Sequence, residues 1–265
     1  MCYRKSQINT IDYLADYYSA SYSDLMAELF TPHYHENGYD YLVAPIVTTT
    51  QPDQLIPYQW GFVPWWTKSF QEGVRLRAQT LNCISEEMFE KSSFRDAAKQ
   101  GQRCLIPCSG FFEWRWLDVK GKVKVPYFVR LPEQKNFSIA GLYGSWKDRS
   151  TDQELHTYTV LTTRANPLME KIHNNKMRMP VIIPRQYEKD WLNPNLSKDD
   201  VMALCQPYDE SSMDGYTISK LVTSKVEESD VAKVLEPQTY AEVLEADLGA
   251  PETAKGSTGT QTTLF

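Results

Sequence analysis

The stretch RCLIPCSGFFEWRW, residues 103–116, decides the fold class, because it opens a run of strand-like segments. VPYFVRL (125–131), SIAGLYGSW (138–146) and TYTVLTT (157–163) continue that run. All are rich in aromatic and aliphatic residues, and the connections between them are short and polar. Parallel pairing needs longer crossovers, so antiparallel pairing is expected. Downstream, MPVIIP (179–184) reads as a further strand, PRQYEKDWL (184–192) as a helix and MDGYTISKLV (213–222) as the last core strand. Upstream, SSFRDAAKQG (92–101) reads as a short helix capped by Ser93, with Asp96 three residues on and Gly101 as the stop. YDYLVAPIVTTTQP (39–52) reads as extended, and YQWGFVPWW (58–66) as strand and turn punctuated by Gly61 and Pro64. SQINTIDYLADYYSASYSDLMAELF (6–30) carries one or two helices. The expectation is one α+β domain over residues 1–235, followed by an acidic, disordered tail over 236–265, where Glu, Ala, Gly, Ser and Thr take over.

With 265 residues, 42% of them hydrophobic, the chain is long enough for a proper core. It has no run of eighteen apolar residues and no basic segment leading into an apolar one, so neither a membrane span nor a secretory signal is expected. A cytoplasmic protein follows. Five cysteines without framework spacing read as free thiols, and Cys104 and Cys108 have no second pair that would complete a zinc site. No metal or cofactor is expected. Residues 227–265 carry the whole net charge of −6, leaving a neutral body. A neutral body can hold a local basic groove, so the acidic balance does not exclude nucleic acid.

Cys2 stands directly behind the initiator methionine. Removal of Met1 would leave an α-amine and a thiol on one residue, a 1,2-aminothiol whose groups titrate near 8 and 8.5. The plainer reading is an ordinary buried or frayed terminal cysteine. Three more polar residues lie in apolar or turn-like surroundings: Asn82 in TLNCISEE, Glu113 in SGFFEWRW and His173 in KIHNNKMRMPVIIP. Taken singly, Glu113 could face water on the alternate positions of a strand, His173 could be a turn residue and Asn82 a cap.

Together, CYR at the start, WGFVPWW, NCISE, GFFEW and HNNKMRMP occur in an order that resembles the SOS-response-associated peptidase family. The resemblance covers most of residues 2–226. It implies mainly antiparallel sheets forming an open barrel-like core with a few flanking helices, and a monomer. It also implies recognition of abasic sites in single-stranded DNA and their covalent capture by Cys2, with Met1 removed autocatalytically or by an aminopeptidase. Such a protein would associate with the nucleoid where DNA is damaged. Glu113 is expected to shuttle protons, His173 to act as a second acid or base, and Asn82 to orient the amine or the sugar. Arg4, Arg77 and Arg178 are expected on phosphates, with Trp65 and Trp66 as a stacking surface and Trp60 in the core. The sequence departs from the pattern at Tyr3, where glycine is usual, and at Cys83-Ile84, where Ala-Arg is usual. It also spaces His173 further from Arg178-Met179-Pro180.

The final QTTLF resembles a sliding-clamp-binding peptide, with Gln261, Leu264 and Phe265 as the anchors and the bacterial clamp as partner. Two other function classes fit the same residues: an N-terminal-nucleophile hydrolase using Cys2, and a non-catalytic reader of single-stranded DNA.

Overall fold

At Ser109 the stretch 103–116 leaves one sheet and enters another. The computed structural model describes residues 2–148 and 150–247. In chain order its strands are β1 (Arg4–Gln7), β2 (Ser21–Tyr22), β3 (His33–Asn37), β4 (Val43–Thr48), β5 (Gln51–Trp60), β6 (Asn82–Ile84) and β7 (Arg103–Cys108). There follow β8 (Gly110–Trp116), β9 (Lys124–Arg130), β10 (Phe137–Lys147), β11 (Glu154–Arg164), β12 (Arg178–Pro180), β13 (Ile182–Ile183) and β14 (Asp214–Thr217). The helices are α1 (Ile11–Tyr18), α2 (Asp24–Leu29), α3 (Phe70–Arg77), α4 (Arg95–Lys99), α5 (Pro167–Ile172), α6 (Glu188–Trp191), α7 (Lys198–Leu204) and α8 (Ala241–Asp247).

β7 belongs to the larger sheet and β8 to a five-stranded sheet of order β14-β9-β8-β1-β3. The break is fixed by the Ser109 N–H, which donates to the Ser6 carbonyl at 2.8 Å, and by its hydroxyl, which donates to Gln7 Oε1 at 3.1 Å. In the larger sheet, β5, β4, β7, β10 and β11 pair antiparallel in that order. A parallel contact of Thr157 with Gln59 and Tyr158 with Trp60 then joins β11 back to β5. The α+β, mainly antiparallel reading therefore holds, and the barrel is closed by this parallel seam rather than open. Closure removes the sheet's free edges in that part of the molecule. One apolar cluster, holding Cys2, Trp60, Phe111, Phe137 and Tyr158, lies between the sheets, and a second, around Leu14, Phe94 and Trp191, lies under the helices.

Three local expectations change. The MPVIIP segment is two strands, because β12 pairs with β11 whereas β13 pairs with β10. Val181 makes the crossing, its N–H donating to Leu161 O and its carbonyl accepting from the Ala140 N–H. Ser93 caps nothing: α4 begins after the buried Phe94, without a side-chain cap, while Gly101 at φ +69° does end it. The chain also stays packed beyond residue 235. The Gln238 N–H donates to Thr217 O, the Tyr240 hydroxyl donates to Ile218 O, and Tyr240 and Val243 join the core from α8 and the residue before it. Among the described residues, no helix is long and apolar enough to cross a membrane.

Candidate active site

Cys2 enters the molecule one residue ahead of Tyr3 and β1, which is clamped between β3 and β8 through Lys5 opposite Phe111 and Ser6 opposite Gly110. Continued by two residues, that antiparallel register brings the start of the chain alongside Glu113 on β8. Cys2 is only 1% exposed, and its thiol donates to the Arg4 carbonyl at 3.5 Å. Burial pushes the thiol pKa well above the ordinary value, and the neighbouring Glu113 carboxylate and Cys108 add to the shift. The thiol is therefore protonated at neutral pH and needs a base to react.

Glu113 is buried, with Oε1 lacking a hydrogen-bond partner among the described residues, and burial pushes its pKa up to about 7. His173 is the C-cap of α5, a helix opened by the Asn166 side chain and Pro167. Its Nδ1 lies 2.8 Å from the Arg178 carbonyl, which can only accept, so Nδ1 carries the hydrogen and Nε2 the lone pair. Nε2 faces Glu113 Oε2 at 3.7 Å. That is longer than a direct hydrogen bond and within the range that tightens when a substrate arrives. Burial lowers the His173 pKa to about 4. Near neutral pH the imidazole is thus a neutral acceptor and the carboxyl is poised between acid and base, the division of labour that proton shuttling requires.

This pair lies in a cleft of about 440 Å³ whose walls include Tyr3, Arg4, Trp114, Trp116, Lys124 and Lys176. Arg4 Nη1 donates to Val222 O at 2.7 Å and to His35 Nε2 at 2.9 Å, and its guanidinium lies 5.6 Å from the Trp114 ring centre. Asn82 does not line this cleft. It is buried on β6, opposite Val160 of β11, and neither its amide oxygen nor its nitrogen has a partner among the described residues.

The remaining expected DNA contacts are dispersed. Arg77 is buried, donating to the Trp60 carbonyl at 3.0 Å and stacking 4.0 Å from the Tyr41 ring centre, so it supports the core instead of facing a phosphate. Arg178 is held bidentately by Glu86 at 2.8 and 2.7 Å and also donates to Thr162 O. Trp65 is 69% exposed, and with Trp66, Trp146 and Lys147 it lines a second cleft of about 380 Å³ that shares no residue with the first. Trp60 is in the core, donating to Leu81 O at 2.7 Å. Gln261, Leu264 and Phe265 lie outside the described residues.

Sequence reasoning missed His35, Trp116, Lys124 and Lys176. Trp116 carried a signal, since it is two residues beyond Trp114 on the same strand face. Lys124 carried none, because only the β8–β9 register sets it opposite Trp116. All five cysteines are free, and no group of three or more His, Cys, Asp or Glu side chains among the described residues is placed to hold a metal ion.

The family model for the SOS response associated peptidase, SRAP, matches residues 1–225. The abasic site processing protein YoqW of Bacillus subtilis is 38% identical over 191 residues, covering 69% of this chain and 80% of its own. YoaM of the same organism, also named an abasic site processing protein, is 36% identical over 209 residues, with 76% and 86% coverage. The abasic site processing protein HMCES of Gallus gallus is 27% identical over 231 residues, 79% of this chain and 63% of that one. A crystal structure of a protein from Bacteroides thetaiotaomicron superposes with a TM-score of 0.82 at 31% identity, covering 90% of this chain and all of the other. The chain belongs to the SOS response-associated peptidase family.

Proposed function

We propose that the protein captures abasic sites in single-stranded DNA by a covalent bond to Cys2. The reading rests on a buried carboxyl and imidazole facing each other at 3.7 Å beside a buried N-terminal cysteine, in a cleft walled by cations and aromatic rings. The abasic site processing relatives support the substrate class. Once Met1 is removed, the Cys2 α-amine adds to the ring-opened aldehyde of the lesion. Loss of water gives a Schiff base. Sulfur then bonds to the same carbon, and the thiol proton passes to the nitrogen, closing a thiazolidine with one water released overall. Sulfur and nitrogen hang from adjacent carbons of one residue, so closure is intramolecular and favoured by effective concentration.

Protonated Glu113 supplies the proton that departs with water, and ionised Glu113 takes the proton of a thiol that burial keeps from ionising. His173 accepts through Nε2 from the sugar hydroxyl as the ring opens. Asn82 does not line the cleft, but its amide oxygen and nitrogen have no partner among the described residues, and orienting the amine or the sugar is assigned to it. Closing the ring consumes the Schiff base before it drives β-elimination, so the strand stays intact. The same carboxyl and imidazole serve release of Met1, the peptidase chemistry in the family's name. Arg4 meets a phosphate, Trp65 and Trp66 offer stacking faces in the second cleft, and the terminal QTTLF engages a sliding clamp.

The test is incubation of the protein, with Met1 removal checked by intact mass, with a single-stranded oligonucleotide carrying one abasic site. A denaturant-resistant one-to-one adduct that is absent for Cys2→Ala is expected. Absence of an adduct from the processed protein would overturn covalent capture. Turnover of an amide substrate by that same protein would instead support the N-terminal-nucleophile hydrolase.

A further inference from the structure

The cleft before Glu113 has cations that no sequence motif marks. Arg77 and Arg178 are engaged within the protein, whereas Lys124 and Lys176 stand exposed on the cleft wall and form no ion pair with a described residue. Both are organised by Trp116. Its ring carries the Lys124 ammonium 4.6 Å from the centre, across the β8–β9 hairpin. Its backbone holds Asn174, in the turn that carries the other. The Trp116 N–H donates to Asn174 Oδ1 at 3.0 Å, and Asn174 Nδ2 donates to the Trp116 carbonyl at 2.8 Å. The side-chain amide thus imitates one more strand residue and fastens the turn after His173 to the end of β8.

That turn is rigid. The N–H groups of Lys176 and Met177 both donate to His173 O, at 3.2 and 2.9 Å, and the Met177 carbonyl accepts from the Ala165 N–H at 2.9 Å. Met177 is held at φ +51°, a conformation that non-glycine residues keep only where the surroundings impose it. Lys176 sits at the tip of this support, near enough to His173 for its charge to contribute to lowering the imidazole pKa. Two ammonium groups on hydrogen-bonded backbone beside this carboxyl and imidazole suit a ligand of repeating negative charge.

We propose that Lys124 and Lys176, presented on the hairpin and turn that Trp116 joins, form a clamp for two backbone phosphates of the single DNA strand lying in the cleft, one phosphate to each lysine. The proposal rests on the DNA-binding part of the reading above and is tested apart from the covalent step. The probe is a fluorescein-labelled oligothymidylate without a lesion, titrated by anisotropy over a series of salt concentrations. Lys124→Ala/Lys176→Ala is expected to bind more weakly than wild type, and its slope of log K against log salt to be shallower by about 1.4, or about 0.7 for each lysine that no longer neutralises single-strand charge. Lys176→Arg should keep the wild-type slope, as should Lys198→Ala, a charge removal on the first turn of α7 outside the cleft. Lys176→Gln alters only an exposed tip and carries the test alone if Lys124→Ala disturbs the hairpin. Wild-type affinity and slope in the lysine variants, or no binding of the oligothymidylate by wild type, overturns the clamp. A flattened slope together with failure of the wild-type protein to form an adduct overturns covalent capture and leaves the clamp standing.

Discussion

Glu113 and His173 are displaced from ordinary titration in opposite directions, and this separates their effects on stability. The carboxyl binds its proton more tightly in the folded protein, pKa about 7, than in the unfolded chain, near 4.3. Its burial therefore costs stability progressively as pH rises from about 4 to 7, and the full cost, on the order of 3 kcal/mol, is present above pH 8. Glu113→Gln should raise the melting temperature at pH 8 and leave it nearly unchanged at pH 4, as calorimetry at the two pH values would show. His173, with its pKa lowered to about 4, binds its proton more weakly when folded, so its contribution grows as pH rises from about 4 to 6.5. In the adduct assay, Glu113→Gln should slow formation by roughly 10²–10⁴-fold and remove the limb of the pH–rate profile near 7. A profile unchanged in shape would mean that another group moves the proton.

At the scale of the element, β8 places the carboxyl, and its first residue shows how closely. A Cβ on Gly110 would fall inside the Phe128 ring of β9, although the backbone there is ordinary strand. Gly110→Ala should destabilise the fold by about 1–3 kcal/mol in urea titration, the usual cost of overfilling a core. This glycine marks where sequence reading succeeded and where it stopped. The strands were legible from their aromatic and aliphatic runs, and the order of the motifs singled out Cys2, Glu113 and His173, which the fold places together. Properties set by pairing were not. The division of 178–183 depends on Val181 meeting two different strands, the Trp116–Lys124 pair depends on hairpin register, and the engagement of Arg178 depends on Glu86 lying across from it. None of these leaves a periodic trace in one chain.

At the scale of the molecule, the part of the chain with tail-like composition does structural work before residue 248. Pro237 bridges to Ile218 and Gln238 donates to Thr217, so the segment runs along β14, while Tyr240 and Val243 reach the core. Truncation after Leu235 should therefore lower the melting temperature, by several degrees if the apolar burial removed is worth about 2 kcal/mol. An unchanged transition would show that α8 contributes no stability. Composition misplaced this boundary because a short polar segment pinned by backbone hydrogen bonds looks the same in sequence as a solvated one.

The stretch just before this segment reaches the opposite side of the five-stranded sheet. There the Asp230 carboxylate accepts from the outward N–H of His35 through one oxygen and pairs with His33 through the other. β3 ends its sheet, so a side chain stands where a neighbouring molecule's backbone would otherwise dock. The consequence is colloidal. Asp230→Ala would leave an aggregation-competent border, and light scattering should show the variant self-associating as concentration rises while the wild-type protein stays dispersed.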